Sequence, residues 1–498
     1  MKRLFFLILG ILPLTAFSQI NRLGENVSYG ASMTGAASSG DYAPFWFTAN
    51  RYGLSTPNNQ SLMLRLSANR STEADSVRRW KVGYGIDIAG AVGMDSYFIL
   101  QQLFAEVQWK ALRLGVGQKE RPLELKNSEL SSGAMTTGIN ARPLPQVRLE
   151  LPDFLAIPGT HKWLALKAHF SFGAYTDNKW QRSTAGSQGL SYTNNSLYHS
   201  KALFLRIGNV QRFPLTLTGG FEMSTQFGGE GWYMGQRLDD NSQLSDHRKL
   251  FNGFKSIWHA IIPGGGDADD GDFANAEGNQ LGSWHLRADW KGKGWSVGAY
   301  MEHFFEDESQ LFWQYGWKDF LLGVEVNLPK NPFLSTFVYE HMGTMDQSGP
   351  LYHDSRENLP EQISGLDEYY NHHVYGAWQH AGYVMGNPLI LSPIYNKEGR
   401  IYCYFNRVNA HHLGLQGKPA SWISWRMLYT HLRTLGTYHI PVVNPKGANY
   451  LLAEVSWMPN FLPGLSVTGA YGFNGGSLIG RSHGGMLTLA YKGIFNRK

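Results

Sequence analysis

The sequence has little cysteine, little net charge and, after its first residues, no long apolar run. A single cysteine, Cys403, excludes an internal disulfide and a thiolate metal cluster. The 44 lysine and arginine residues exceed the 39 acidic ones by only five, and no basic stripe gives a reason to expect a nucleic-acid partner. Beyond residue 19 no segment approaches the ~20 apolar residues that a transmembrane helix needs. A helical membrane protein is therefore excluded.

The first residues have the three parts of a Sec-type signal peptide. A basic start is followed by an almost wholly apolar stretch, and Ala16 and Ser18 place small residues where signal peptidase cleaves. The apolar stretch is too short for a stable membrane span. We expect residues 1–18 to be a signal peptide cleaved before Gln19, and residues 19–498 to form a single domain. No cysteine follows the cleavage site, which disfavours a lipoprotein anchor.

Glycine and aromatic residues, by contrast, are abundant. The 498 residues include 57 Gly, 16 Trp, 25 Tyr and 27 Phe, yet the mean hydropathy is only −0.30. Each strand of a membrane β-barrel exposes only every second residue to lipid, so its average hydropathy stays low. An exported chain of this composition without apolar runs is typical of such a barrel.

Hydrophobicity alternates with a period of two in many segments. In residues 284–290 the even positions are Trp, Leu, Ala and Trp, and the odd positions are His, Arg and Asp. A strand sends these two sets to opposite faces, where lipid and a polar lumen satisfy both. The same alternation recurs in residues 102–110, 164–172, 203–207, 423–430, 451–457 and 487–492.

A soluble β-sandwich would alternate in the same way, because it has one core face and one wet face. The candidate strands are longer, however, at ~9 to 14 residues against the usual ~5 to 6. Aromatic residues gather at the ends of the apolar stripes, and no linker divides the chain. We therefore predict an all-β fold, a transmembrane antiparallel β-barrel of about 18 strands (16–18). Its closing strand ends near Phe495, which suits insertion into the outer membrane by the barrel-assembly machinery.

The connections between strands are of two kinds. Residues 291–294, 330–332 and 459–464 form tight turns, which we assign to the periplasmic side. The connections at about 228–280 and 342–400 are much longer, and we expect them to face outside or to fold into the lumen. Functional residues concentrate on such loops.

Metal and catalytic motifs are weak. The acidic stretch 267–272 lacks the acidic twelfth residue of an EF-hand, so a solvated loop is expected there. The adjacent histidine pairs 372–373 and 411–412 point to opposite faces if they lie on strands, so neither pair chelates a metal by itself. No HExxH or GxSxG motif is present. We expect no metal, no cofactor and no enzymatic activity, although Ser and His could still meet on neighbouring strands.

Residues 40–53 and 369–380 are rich in aromatic, amide and charged side chains. Sugar rings pack their C–H faces on Trp and Tyr, and sugar hydroxyls bond to Asp, Asn, Arg and His. These segments therefore suit carbohydrate. Girdle residues and loop packing remain an equally good interpretation of the same composition.

These segments resemble the Wzi capsule-assembly family of outer-membrane proteins, in particular its branch in Bacteroides-like bacteria. The resemblance lies in residues 39–46 (SGDYAPFW) with 50–53 (NRYG), in 140–148 (NARPLPQVR), and in 370–380 (YNHHVYGAWQH) with 386–389 (GNPL). It extends from about Tyr29 to the C-terminus. Enterobacterial members carry a helical segment before the first strand, whereas here only about residues 19–26 precede it.

The resemblance implies an 18-stranded barrel with an occluded lumen that acts as a lectin. Such a protein binds exported capsular polysaccharide and holds it at the cell surface, within outer-membrane lipid. A passive or substrate-specific channel is the first alternative, and an outer-membrane hydrolase is the second. The residues expected to contact carbohydrate are Asp41, Trp46, Arg51, Tyr370, His372, Trp378 and His380.

Overall fold

The structure is a computed structural model that describes residues 23–75, 78–236, 243–262, 278–306, 318–347, 352–353, 363–364 and 368–495. The predicted signal peptide and the acidic stretch 267–272 lie outside the described residues.

Eighteen strands form one closed sheet, as predicted. Each strand pairs antiparallel with the next in the chain, and the last pairs with the first. In chain order the strands are β1 Val27–Gly40, β2 Gln60–Arg70, β3 Trp80–Val92, β4 Phe98–Trp109, β5 Leu112–Gln118, β6 Gln146–Ala156, β7 Leu164–Ala174, β8 Leu197–Ile207, β9 Leu215–Phe227, β10 Asn279–Lys291, β11 Ser296–Glu306, β12 Phe320–Asn327, β13 Thr336–Gly343, β14 Val408–Ala420, β15 Ile423–Gly436, β16 Pro441–Trp457, β17 Leu465–Gly476 and β18 Ser482–Phe495.

The strand lengths cover a wider range than the predicted ~9 to 14 residues. Strand β5 has 7 residues and β16 has 17. Strand β5 is short because the chain leaves the wall at Gly117, whose φ of 111° suits only glycine. A Cβ atom at this position would collide with the carbonyl group of Leu103. The chain then turns into the lumen.

The two faces of the wall carry the residues that the alternation predicts. In β10 the side chains of Leu286 and Trp290 are exposed on the outside, whereas His285, next to Leu286, is buried on the lumen side. Exposed Leu, Ile, Val and aromatic side chains continue around the outer face, which is the surface that a lipid-facing barrel presents. The fold is therefore a transmembrane β-barrel.

All long connections leave the same end of the barrel. The predicted tight turns join β10 to β11, β12 to β13 and β16 to β17, at the end that also holds both termini of the barrel. The opposite end carries the two longest connections, 228–278 and 344–407, as predicted, and also 41–59, 119–145 and 175–196. We call these two ends periplasmic and extracellular, following the arrangement of outer-membrane barrels.

Three short helices lie in the extracellular connections: α1 Phe45–Thr48, α2 Asn178–Thr184 and α3 Phe254–Ile261. Short strand pairs occupy the same region, among them Tyr192–Asn194 with Glu230–Gln236. Within the described residues, no helix is both long and apolar enough to cross a membrane.

A plug fills the lumen, so the predicted occlusion is confirmed. It consists of residues 41–59, 119–145 and 369–405. Most of their buried apolar side chains join inward side chains of the wall in one hydrophobic cluster, whereas Leu54 belongs to a second cluster and Leu123, Ala134 and Ile139 to a third. Buried carboxylates of the wall fix the middle segment. Glu340 accepts hydrogen bonds from the Ser131 hydroxyl and the Ser132 amide, both at 2.6 Å, and Glu302 accepts one from the Met135 amide at 2.8 Å. Because each buried carboxylate has donors, its desolvation is offset.

Candidate site at the extracellular face

The predicted site residues Trp46 and Arg51 lie in the plug. Trp46 belongs to α1, is 2% exposed and has its ring centroid 5.2 Å from that of His412 in the wall. Arg51 donates from Nε to the Trp46 carbonyl and forms an ion pair with Glu454 at 3.2 Å. Both side chains therefore attach the first plug segment to the wall, at strands β14 and β16.

Tyr370 and Trp378 lie deeper in the plug and are 0% exposed. The Tyr370 hydroxyl donates to the Met135 carbonyl and accepts from the Asn387 amide at 2.9 Å. The Trp378 indole donates to the Thr136 carbonyl at 2.9 Å. These polar tips satisfy backbone groups of the neighbouring plug segment, as buried Tyr and Trp residues usually do.

Asp41 and His372 lie nearer to solvent. Asp41 is exposed at the extracellular end of β1. His372 is half-buried, and its Nδ1 accepts from the backbone amides of Val374 at 3.1 Å and Tyr375 at 3.4 Å. Burial and the neighbouring His373 lower the pKa of His372 to about 3, so the ring is neutral at pH 7.

The expectation that His372 and His373 point to opposite faces is wrong. The two rings stack with centroids 4.7 Å apart, because His372 ends a two-residue strand and His373 begins the turn that follows it. The expectation is correct for the other pair. His412 points into the lumen and bonds to the Leu130 carbonyl, whereas His411 packs outside against Tyr339. Within the described residues, no group of three His, Cys, Asp or Glu side chains is placed to hold a metal ion.

The seven predicted residues therefore divide into two groups. The side chains of Trp46, Arg51, Tyr370, Trp378 and His380 hold the plug together, and only Asp41 and His372 are near the surface. Direct contact of all seven with carbohydrate stays a prediction. In this arrangement a ligand would reach the buried rings only if the plug moved.

The structure also assembles an exposed group that the sequence did not single out. We call it the tyrosine patch, and it consists of Tyr42, Lys397, Arg400, Tyr402 and Tyr404. The three tyrosines are half-buried and the two cations are exposed. Lys397 Nζ lies 5.3 Å from the Tyr42 ring centroid, and the Arg400 guanidinium lies 5.2 Å from that of Tyr402. The rings of Tyr402 and Tyr404 meet edge to face at 5.1 Å.

The plug holds the tyrosine patch in place. Asn371 bonds to the residue between the two tyrosines through both of its amide atoms, accepting from the Cys403 amide at 2.8 Å and donating to the Cys403 carbonyl at 3.0 Å. The hydroxyl of Tyr42 donates to the Tyr395 carbonyl at 2.9 Å. The patch is thus a preformed surface. The only signal in the sequence was the Tyr-Cys-Tyr alternation, which also suits a barrel strand.

Between the plug and the wall, a luminal cavity of about 110 Å³ is lined by polar groups that include Arg121, Arg142, Arg148 and Glu222. Ligand sites commonly measure about 300–1,000 Å³, so this cavity suits water rather than a sugar unit. A second luminal recess of about 500 Å³, lined by Gln416, Arg426 and Glu454 among others, lies towards the periplasmic ends of its strands. The tyrosine patch is therefore the candidate carbohydrate surface at the extracellular face.

Comparison with solved structures supports the fold. The chain is similar to Wzi, described as an outer-membrane protein involved in group 1 capsule assembly in Escherichia coli and as a carbohydrate-binding β-barrel. The TM-score is 0.57 at 14% identity, and the alignment covers 97% of this chain and 87% of Wzi. OpdQ of Pseudomonas aeruginosa follows with a TM-score of 0.47 at 10% identity, covering 95% of this chain and 99% of OpdQ. No family model and no curated protein sequence matches the chain.

Proposed function

We propose that this protein is an outer-membrane lectin of the Wzi type, which binds an exported capsular or surface polysaccharide and holds it at the cell surface. In this proposal residues 1–18 are removed on export, and the barrel-assembly machinery inserts the chain into outer-membrane lipid. The protein acts by binding and carries out no catalysis.

The observation that carries the proposal is the combination of a filled lumen with a preformed tyrosine patch on the exposed surface of the plug. The aromatic side chains Trp46, Tyr370 and Trp378 are buried inside the barrel, in the hydrophobic cluster that joins the plug to the wall. Long loops that only closed the barrel would not need exposed aromatic rings paired with cations. The similarity to the Wzi barrel at the level of fold is consistent with this interpretation.

The chemistry of the patch fits a polysaccharide. Tyr402 and Tyr404 offer ring faces and edges to sugar C–H groups, and the Tyr402 hydroxyl, which donates to Glu368, can still accept a hydrogen bond from a sugar hydroxyl. Lys397 and Arg400 donate hydrogen bonds to hydroxyls and also attract the carboxylates of acidic sugars. Each contact is weak, but a polymer presents many equal units at high effective concentration, so modest affinity per unit retains the chain.

The test compares cell-attached with shed polysaccharide in a deletion strain that carries the wild-type gene, the double variant Tyr402→Ala/Tyr404→Ala or a control. The control is Phe461→Ala, an exposed aromatic residue in a periplasmic turn. We expect the double variant to release polymer into the medium, while the control retains it. Heat-modifiable migration on gels verifies that each barrel is folded.

Two results would contradict the proposal. If the deletion strain itself keeps its polymer attached, the protein does not anchor it. If the wild type anchors polymer and the double variant anchors it equally well, the tyrosine patch is not the binding surface. Binding of purified protein to the polymer from the same strain distinguishes a lost contact from a lost export step.

The channel alternative differs in a measurable way. Because the plug fills the lumen, we expect almost no current when the purified protein is reconstituted in a planar bilayer. A steady single-channel current would favour the channel. No observation in the described residues favours the hydrolase alternative.

A further inference from the structure

Three polar side chains lie on the outer face of the wall, where lipid is expected. They are Lys201 in β8, Thr225 in β9 and Gln280 in β10. The register of these strands is continuous, so Lys201 shares its face with exposed Leu203, and Thr225 shares its face with exposed Leu217. By the same alternation Gln280 points outward. Polar groups on a lipid-facing wall are costly unless they find partners.

Helix α3 supplies these partners. Thr225 Oγ1 donates to the Ala260 carbonyl at 3.2 Å, Gln280 Nε2 donates to the His259 carbonyl at 3.0 Å, and the Lys201 ammonium donates to the Ile261 carbonyl. The last carbonyls of a helix have no partner within the helix, and they form the negative end of its dipole. Helix α3 therefore lies against the outside of the barrel wall, with its C-terminal turn bonded to three adjacent strands.

The opposite face of α3 and the residue after it are strongly apolar and exposed. Phe254 is 77% exposed, Trp258 is 50% exposed and Ile262 is 49% exposed. Phe254 and Trp258 are four residues apart, so they lie on one side of the helix, while Ser256 and Ala260 are buried beneath it. Tryptophan and phenylalanine on one face of an amphipathic helix are typical of a helix that lies in a membrane interface.

The position of α3 identifies what covers this face. Lys201 is two residues from Leu203, a rise of ~7 Å along the strand, and Leu203 belongs to the exposed apolar belt. The apolar face of α3 thus continues the lipid-facing surface at its extracellular edge. A surface continuous with the belt meets the same lipid.

We propose that α3 is an interfacial anchor: Phe254, Trp258 and Ile262 insert into the outer leaflet at the boundary of head groups and acyl chains. The anchor holds α3 itself at the membrane surface and shields Lys201, Thr225 and Gln280 from lipid. This role does not depend on carbohydrate binding.

The test places a nitroxide spin label at position 258 in the full-length protein, using Trp258→Cys in a Cys403→Ser background. The labelled protein is reconstituted in vesicles of phosphatidylcholine and phosphatidylglycerol. Label accessibility to oxygen, which concentrates in lipid, is compared with accessibility to a water-soluble nickel complex. Leu203→Cys in the apolar belt serves as the lipid control, and Glu398→Cys in the extracellular connection serves as the water control.

We expect the label at 258 to behave like the label at 203, with high oxygen and low nickel accessibility. Nickel accessibility equal to that at position 398 would overturn the proposal. Low accessibility to both reagents, together with dipolar broadening between labels, would also overturn it, because a second copy of the chain would then cover α3. Heat-modifiable migration of each labelled protein verifies that the barrel is folded.

Discussion

His380 joins plug segments that are 238 residues apart in sequence, since its Nδ1 donates to the Arg142 carbonyl at 3.0 Å. Its Nε2 accepts from the Thr176 hydroxyl at 3.0 Å. A carbonyl oxygen only accepts, so Nδ1 carries a proton, and the Thr176 amide, which only donates, points at Nε2 at 3.4 Å, so Nε2 carries none and the ring is neutral. Burial lowers the pKa of His380, which favours this neutral state. One side chain thus fastens three extracellular connections to each other.

Replacement of this histidine should loosen the plug without unfolding the barrel. His380→Ala leaves the buried Arg142 carbonyl without its donor, which costs about 1–3 kcal/mol. Amide hydrogen exchange should therefore accelerate in residues 137–144 and around Thr176, while the strands keep their protection. His483→Ala, at an exposed histidine on the rim, is the control. Unchanged exchange in both segments would show that His380 does not fasten them.

Loss of Glu340 should open the lumen. Its carboxylate accepts from the Ser131 hydroxyl, the Ser132 amide and, at 2.7 Å, the Tyr300 hydroxyl. Glu340→Ala leaves these three donors unpaired in a buried site. Each unpaired donor destabilises the folded plug by about 1–3 kcal/mol if the surrounding structure does not rearrange.

We expect measurable single-channel current from Glu340→Ala in planar bilayers and almost none from the wild type. The conservative variant Glu340→Gln keeps an acceptor and should give less current than the alanine variant. Equal, negligible current from all three proteins would mean that the plug does not depend on this carboxylate.

Acidification should open the turn at His372. The pKa of this ring is lowered to about 3 from an ordinary value near 6.5, so the unfolded turn binds a proton that the folded turn excludes. The stabilising effect is complete above about pH 6.5 and is lost as the pH falls from there towards 3. Protonation also removes the acceptor for the amides of Val374 and Tyr375.

Hydrogen exchange of these two amides, corrected for its intrinsic pH dependence, should therefore show protection that decreases between pH 7 and pH 5. In His372→Gln the protection should no longer depend on pH over this range. Wild-type protection that is constant with pH would contradict the assignment of a neutral acceptor.

The thiol of Cys403 should be unreactive in the folded protein. Cys403 is 0% exposed, and burial raises the pKa of its thiol well above the usual range, so the reactive thiolate is scarce. A maleimide reagent should label the wild type only after denaturation. The variant Cys403→Ser/Glu398→Cys, with an exposed thiol, should be labelled in the folded state. Rapid labelling of folded wild type would show that the plug opens readily around Cys403.

The alternation in the sequence was sufficient to predict the barrel wall. Strand β10 shows why: Leu286 and Trp290 on one face and His285 on the other follow directly from the period of two, which is a local property of the backbone. The same rule predicted that His411 and His412 diverge. It failed at His372 and His373, because the chain turns there, and nothing in two adjacent histidines distinguishes a turn from a strand.

The roles of the aromatic loop residues, by contrast, could not be predicted from the local sequence. Trp46, Trp378 and Tyr402 are equally suited by chemistry to a membrane girdle, a plug or a sugar-binding surface. Their surroundings in the folded chain decide among these roles: Trp378 meets Thr136, 242 residues away, whereas Tyr402 remains half-exposed outside. Helix α3 was missed for the same reason, since its role depends on contact with three strands of the wall.

The sequence by itself therefore determined the closed β-barrel, the face that meets lipid and the end that carries the long connections, because each depends on spacing along the chain. Only the tertiary structure decided that residues 119–145 and 369–405 fill the lumen, that the tyrosine patch forms on the exposed surface of this plug and that α3 lies against the wall. These outcomes rest on contacts between residues far apart in sequence, where buried polar groups such as Glu340 and His380 must find their partners.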